Sequence, residues 1–146
     1  MSFTKEKRMP TAEEFRQFNR LLIEEFRANA GKVKGWDSLL LLTTDGAKSG
    51  EPHSTPLTYS VEGDRMLVVA TAAGAPNHPA WYHNLLVHPE VTVELNGESH
   101  RMRAVVANGQ EYDRLFTQHT AQFPIVAEYQ EKTIRRIPIV ILERID

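Results

Sequence analysis

The sequence has no cysteine in its 146 residues. Disulfides, thiolate nucleophiles and cysteine-ligated metals are therefore excluded. Excess charge is also nearly missing: 17 Lys and Arg against 19 Asp and Glu leave a formal net charge of −2. That balance gives no general attraction to nucleic acid, and no basic stripe interleaved with aromatics occurs. No apolar run approaches the roughly 20 residues a membrane span needs. The opening MSFTKEKRMP lacks the apolar core of a secretory signal. There is no internal repeat, no low-complexity segment, no GxGxxG and no P-loop. These absences predict one cytoplasmic domain over residues 1–146, with residues 1–10 flexible, no nucleic-acid partner and no stable membrane insertion.

Groups for covalent or metal chemistry are sparse as well. His78, His83 and His88 recur every five positions, which on a helix turns each about 140° from the last. They cannot share one metal, and neither HExxH nor a carboxylate cluster compensates. No GxSxG marks a nucleophile. No metal site is expected, and the chain suits an organic cofactor that brings its own chemistry.

What is present begins with a helix over residues 11–31. Thr11 caps it, Glu14 completes a capping box, and Phe15, Phe18, Leu22 and Phe26 form one apolar face. That face is expected to pack on the domain or on a second subunit, which makes a homodimer one expected assembly. The apolar run Ser38–Thr44 reads as a buried strand, and Ser54–Val61 as a second, bent or at an edge near Pro56. Met66–Thr71 is a third. Val91–Leu95 and Glu98–Ala107 form a hairpin around an Asn96-Gly97 type I′ turn. Asn108 and Glu111 open a helix, Phe123-Pro124 breaks it, and Ile125–Lys132 resumes as a short one carrying Tyr129. Ile137–Glu143 closes the set, with Pro138 at an edge or at the strand's start. About six mostly consecutive antiparallel strands with helices at the ends and one crossover predict a mainly β, α+β chain built as a small barrel.

Two stretches stand apart. In Ala72–Pro89, Gly74 admits unusual backbone angles while Pro76 and Pro79 fix φ, so a flat ligand can approach the main chain closely. Asn77 or His78 is expected to cap the helix that follows, and Pro89 to stop it about three turns later. The same stretch also reads as a loop and connector helix packed on a sheet. In Gly46–His53, two glycines flank Lys48-Ser49, so backbone N–H groups, a hydroxyl and an ammonium can converge on an anion, with His53 as a further donor. The alternative is a solvated hairpin.

Together these residues carry a resemblance. Leu41-Leu42-Thr43-Thr44-x-Gly46-x-Lys48-Ser49-Gly50, then Thr55-Pro56-Leu57, then Gly74-Ala75-Pro76-Asn77-His78-Pro79-x-Trp81-Tyr82-x-Asn84-Leu85, then Pro89-x-Val91-x-Val93 resemble the deazaflavin-dependent nitroreductase family. The resemblance implies a split β-barrel, FMN-binding-like fold and the 8-hydroxy-5-deazaflavin coenzyme F420. It places Lys48, Ser49 and Gly50, with His53, Thr55 and Pro56, at the coenzyme's phosphate and tail. It places Leu57, Ala70, Thr71, Ala72, Gly74, Ala75, Pro76 and Asn77 about the ring, supported by Trp81 and Asn84. Tyr59 and Tyr129 fall in the substrate pocket as catalytic candidates, Tyr129 on a lid; as bare residues both also read as core aromatics. The implied reaction is hydride transfer from reduced F420 to an electron-poor small molecule of nitroaromatic, enone or quinone type.

Three departures qualify that reading. The family often carries arginine where this chain has Ala47 and His53, and lysine where it has Ala72. Arg65, or Lys5, Lys7 and Arg8, are the candidate replacements. The missing cations keep two other functions in play: a non-catalytic carrier of an apolar or lipid-like ligand, and an FMN-dependent enzyme.

Overall fold

The structure, a computed structural model, describes residues 11–145. The N-terminal decapeptide, and with it Lys5, Lys7 and Arg8, lies outside the described residues. In chain order the elements are α1 (Ala12–Ala28), β1 (Leu39–Asp45), β2 (Pro52–Thr58), β3 (Ser60–Glu62), β4 (Arg65–Val69), α2 (Ala80–Val87), β5 (Glu90–Leu95), β6 (Glu98–Val106), α3 (Gly109–Gln122), α4 (Ile125–Glu131) and β7 (Ile139–Arg144). A 3-10 turn, Ala72–Gly74, lies between β4 and α2.

Seven strands, one more than the pattern predicts, form one antiparallel sheet in the order β2-β1-β5-β6-β7-β4-β3. The extra strand arises because the chain breaks at Tyr59, not at Pro56. Pro56 stays in β2, paired opposite Leu41, since an edge strand needs no donor on its open side. The two edges of the sheet, β2 and β3, are joined through Tyr59 alone. A flat sheet cannot satisfy that connection, so the sheet curls until its edges approach. The result is a curled antiparallel half-barrel, the split-barrel fold.

Both faces of the sheet are covered, which is why its central strands read as unbroken apolar runs. Leu40, Leu42, Val68 and Val140 point inward to an inner core with Trp81 and Leu85 of α2. Leu39 and Leu41 point outward against Leu22 and Phe26 of α1. Leu67, Val69, Ile139 and Ile141 point outward beneath Leu115 of α3 and Val126 of α4. Pro138 precedes β7, an interior strand, and its carbonyl accepts the Ala70 N–H at 3.0 Å.

Several local expectations hold. The Thr11–Glu14 capping box forms in both directions. Asn96 and Gly97 both take positive φ, 52° and 78°, as a type I′ turn requires. Others are corrected. Helix α1 ends at Ala28, and it buries only Leu22 and Phe26; Phe15 and Phe18 stay 45% and 52% exposed because the sheet reaches only the C-terminal half of the helix. Neither Asn77 nor His78 caps α2: Pro79 is the N-cap, without a side-chain bond, and α2 is about two turns long. Asn108 makes no side-chain cap either, and Glu111 turns to Arg65 at 3.3 Å.

Candidate functional site

Between β4 and α2 the backbone takes an unusual course. Ala72, Ala73 and Gly74 have φ of 45°, 53° and 80°, three consecutive residues in the left-handed region. For the two alanines this costs about 1–2 kcal/mol each. Gly74 has no alternative. A Cβ there would lie 2.9 Å from the Tyr129 carbonyl oxygen and 3.0 Å from Lys132 Cβ, because the turn presses directly on α4.

Arg135, in the segment between α4 and β7, holds this turn. Its Nε donates to the Ala75 carbonyl at 2.8 Å, Nη2 to Thr71 O at 2.7 Å and Nη1 to Ala70 O at 3.1 Å. Nη1 also lies 2.9 Å from His78 Nδ1. A guanidinium has no acceptor, so Nδ1 of His78 accepts and a neutral His78 carries its proton on Nε2. Burial first, then the positive charge of Arg135 and His83, lowers the His78 pKa and keeps it in that accepting form.

Arg135 occupies three carbonyls of the loop, and the loop also keeps unpaired donors. The N–H groups of Ala72, Ala73, Asn77 and His78 have no partner among the described residues. Such a set fits the carbonyl oxygens of a planar heterocycle. Ala70 is fully buried, Thr71 half-buried, and Ala75, Pro76 and Asn77 exposed.

The β1–β2 turn is likewise tied by internal bonds. Gly46 N–H donates to Glu51 O, Gly50 N–H to Gly46 O, and Glu51 N–H to Ser49 Oγ. Ala47 N–H donates at 2.9 Å to Oδ1 of buried Asn84, whose Nδ2 donates to Thr44 Oγ1 at 3.2 Å. Asn84 thus spends its polar atoms fastening the turn to α2, while Trp81 lies buried in the inner core. A Cβ on Gly46 would lie 2.5 Å from Ser49 Oγ and 3.3 Å from His53 Nε2. What remains free among the described residues is the N–H groups of Lys48 and Ser49 and the exposed Lys48 ammonium. Two backbone N–H groups and an ammonium on one exposed turn are donors of the kind an anion uses.

A cavity of about 240 Å³ connects the loop to the helices. Pro56, Leu57, Thr58, Val69 and Thr71 form one wall, and His119, Phe123, Ile125, Val126 and Tyr129 the other. Of the two tyrosines singled out, Tyr129 lines this cavity and Tyr59 does not. Tyr59, at the break between β2 and β3, packs against the inner core instead. His119 is buried, with Nδ1 2.7 Å from Ser60 Oγ, and burial lowers its pKa from 6.5 to about 4.

Sequence reasoning missed Arg135, His119 and Lys132. Arg135 meets its loop partners across 57 to 65 positions and His119 meets Ser60 across 59, so no local periodicity marks either. Lys132 packs its stem on Gly74, with Nζ 5.7 Å from the Tyr129 ring centroid. Arg65, one candidate replacement cation, is committed to Glu62 and Glu111.

The split-barrel fold that carries this loop and cavity is one that F420-dependent oxidoreductases share. The F420H(2)-dependent quinone reductase family matches residues 15–144 of this chain. An F420H(2)-dependent quinone reductase of Mycobacterium tuberculosis is 36% identical over 118 residues, covering 77% of this chain and 78% of that protein. Among solved structures, an F420-H2 dependent reductase superposes with a TM-score of 0.68 at 34% identity, covering 77% of this chain and all of the other. A chain described as a domain-swapped dimer superposes with a TM-score of 0.70 at 30% identity, covering 91% of this chain and all of the other. The chain belongs to the F420H(2)-dependent quinone reductase family, oxidoreductases whose cofactor is coenzyme F420.

Arg135→Lys keeps the charge but cannot span the loop, because three of the four contacts need the planar fork. The variant is expected to lose about 2–3 kcal/mol of stability, read as a lower denaturant midpoint; an unchanged midpoint would remove Arg135 from this role. Because the folded pKa of His119 lies below its ordinary value, the unfolded chain takes up the proton first as pH falls. Stability present above pH 6.5 is therefore lost on descending to pH 4, by about 3 kcal/mol in total. Replacing His119 by Gln should flatten the stability–pH curve in that window, and a parallel curve for the variant would refute the assignment.

Proposed function

We propose that this chain reduces quinones with reduced F420, and that nitroaromatics and enones serve as further electron-poor acceptors. The observation that carries the reading is the single cavity shared by Pro56, Leu57 and Thr71, three residues of the coenzyme set, and by Tyr129 on the opposite wall. Its mixed lining suits a small, flat, oxygen-bearing acceptor. The mycobacterial relative named as an F420H(2)-dependent quinone reductase supports the same choice.

Lys48, with the free N–H groups of Lys48 and Ser49, would hold the phosphate of the coenzyme tail. The free N–H groups of Ala72, Ala73 and Asn77 would meet the ring oxygens. When bound, reduced F420 supplies the hydride equivalent. The chain's own part is alignment and exclusion of water: Arg135 fixes the loop, α4 covers it, and Pro56, Leu57 and Val126 dry the cavity.

The test is a fluorescence titration with F420 and FMN, followed by anaerobic turnover with menadione. F420 is expected to bind at least about tenfold more tightly than FMN, roughly 1.4 kcal/mol, and its reduced form to be consumed only when the quinone is added. Tight FMN binding without F420 binding would replace the cofactor, and binding of neither would favour a ligand carrier. Lys48→Ala should weaken F420 binding by about 1–3 kcal/mol at low salt, and by less as salt rises. An unaffected low-salt affinity would return the turn to a solvated hairpin.

A homodimer is the assembly we favour. The likeness to a domain-swapped dimer supports it, as do the exposed Phe15, Phe18, Leu21 and Trp36 on and beside α1. Light scattering should give twice the chain mass; a monomer at micromolar concentration would rule it out.

A further inference from the structure

His119 takes no part in the reading so far. It sits on α3, its ring 5.0 Å from that of Phe123 with a 44° interplanar angle, so the plane of the imidazole is fixed. Ser60 Oγ lies 2.7 Å from Nδ1 and makes no other hydrogen bond among the described residues. The hydroxyl proton of a buried serine goes to an available acceptor. Nδ1 is that acceptor, so the imidazole proton sits on Nε2. No side-chain nitrogen or oxygen sealed from solvent lacks a partner among the described residues. Nε2 has no partner among the described residues, so it is not sealed, and the cavity is the space that His119 lines.

We infer that the Nε2–H of His119 is the hydrogen-bond donor that receives the oxygen of the acceptor, and that Ser60 is the positioning residue that fixes this tautomer. The inference rests on the quinone-reductase reading. A quinone becomes a hydroquinone by taking two electrons and one hydrogen as hydride, then one proton from water. Negative charge collects on its oxygen between those events, and a preorganised donor in a dry cavity is most effective there. Burial keeps His119 uncharged at neutral pH, since its pKa is held near 4. It therefore donates without carrying a second positive charge into the apolar wall.

The experiment compares wild type, His119→Leu, His119→Gln and Ser60→Ala on two acceptors. One is menadione, which offers carbonyl oxygens; the other is N-methylphenazinium, which has none. His119→Leu should lower kcat/KM for menadione about ten- to a hundredfold relative to its effect on N-methylphenazinium. His119→Gln, which returns an N–H near the position of Nε2, should recover part of that ratio. Equal losses on both acceptors, or none, would overturn the assignment. Histidine 15N spectra of the cofactor-free wild type should show His119 protonated at Nε2, with a shift when menadione is added. Ser60→Ala should mix the tautomers. A wild-type His119 protonated mainly at Nδ1 would also overturn it, without reference to turnover or to whether a variant folds. A wild type that binds F420 and reduces N-methylphenazinium but not menadione would refute the quinone reading itself, and this donor with it. If wild type and His119→Leu reduce menadione equally, only the donor falls.

Discussion

The site depends on one guanidinium. Arg135 reaches from the segment before β7 to three carbonyls of the Ala70–Ala75 stretch and to His78. Two alanines in left-handed conformation would relax if nothing opposed them, and charge-assisted bonds of about 1.5–3 kcal/mol each are enough to oppose them. Arg135 is itself held in place. Gln130 of α4 donates to the Arg135 carbonyl at 2.8 Å and accepts the Ile137 N–H at 2.9 Å. Helix α4, the loop and the start of β7 are therefore fastened together, so a displacement of α4 must be felt in the loop.

Legibility in the sequence follows chain distance. The Asn96-Gly97 turn, the Thr11–Glu14 box and the apolar strands were readable because each is settled within a few residues. The Lys48–Gly50 turn and the Gly74–Asn77 loop stood out by their local glycine and proline content, although Asn84 and Arg135 fasten them from afar. The opposite wall did not. Tyr129 could be named only through the family resemblance, and His119, Ser60 and Arg135 acquire meaning only when the barrel curls and brings α3 and α4 over β3 and β4. The failed caps teach a related lesson. His78 and Glu111 had good capping positions, yet each found an arginine, and a charged partner outcompetes a neutral end of a helix. Phe15 and Phe18 obeyed helical periodicity perfectly well; the sheet simply ended before it reached them.

Charge distribution makes the departures at Ala47, His53 and Ala72 intelligible. The chain keeps only Lys48 on these two loops and sets two further cations beside the Ala72–Gly74 turn from the C-terminal side. Arg135 spends its donors on carbonyls, so its contribution to a ligand is indirect. Lys132 has no acidic partner among the described residues, and its stem covers Gly74. Lys48 is the one side-chain cation on the β1–β2 turn. The exposed positive charge near the two loops therefore rests on two ammonium groups, and its reach shortens as salt rises.

The Ala70–Asn77 loop shows how a residue remote in sequence sets a local conformation. Its carbonyls at Ala70, Thr71 and Ala75 go to Arg135, while the N–H groups of Ala72, Ala73 and Asn77 have no partner among the described residues. Unused N–H groups on an exposed turn are solvated and cost little, whereas the carbonyl of buried Ala70 without Arg135 would be unpaired, at about 1–3 kcal/mol. Arg135 therefore stabilises a turn whose own residues disfavour it, from 60 positions away along the chain.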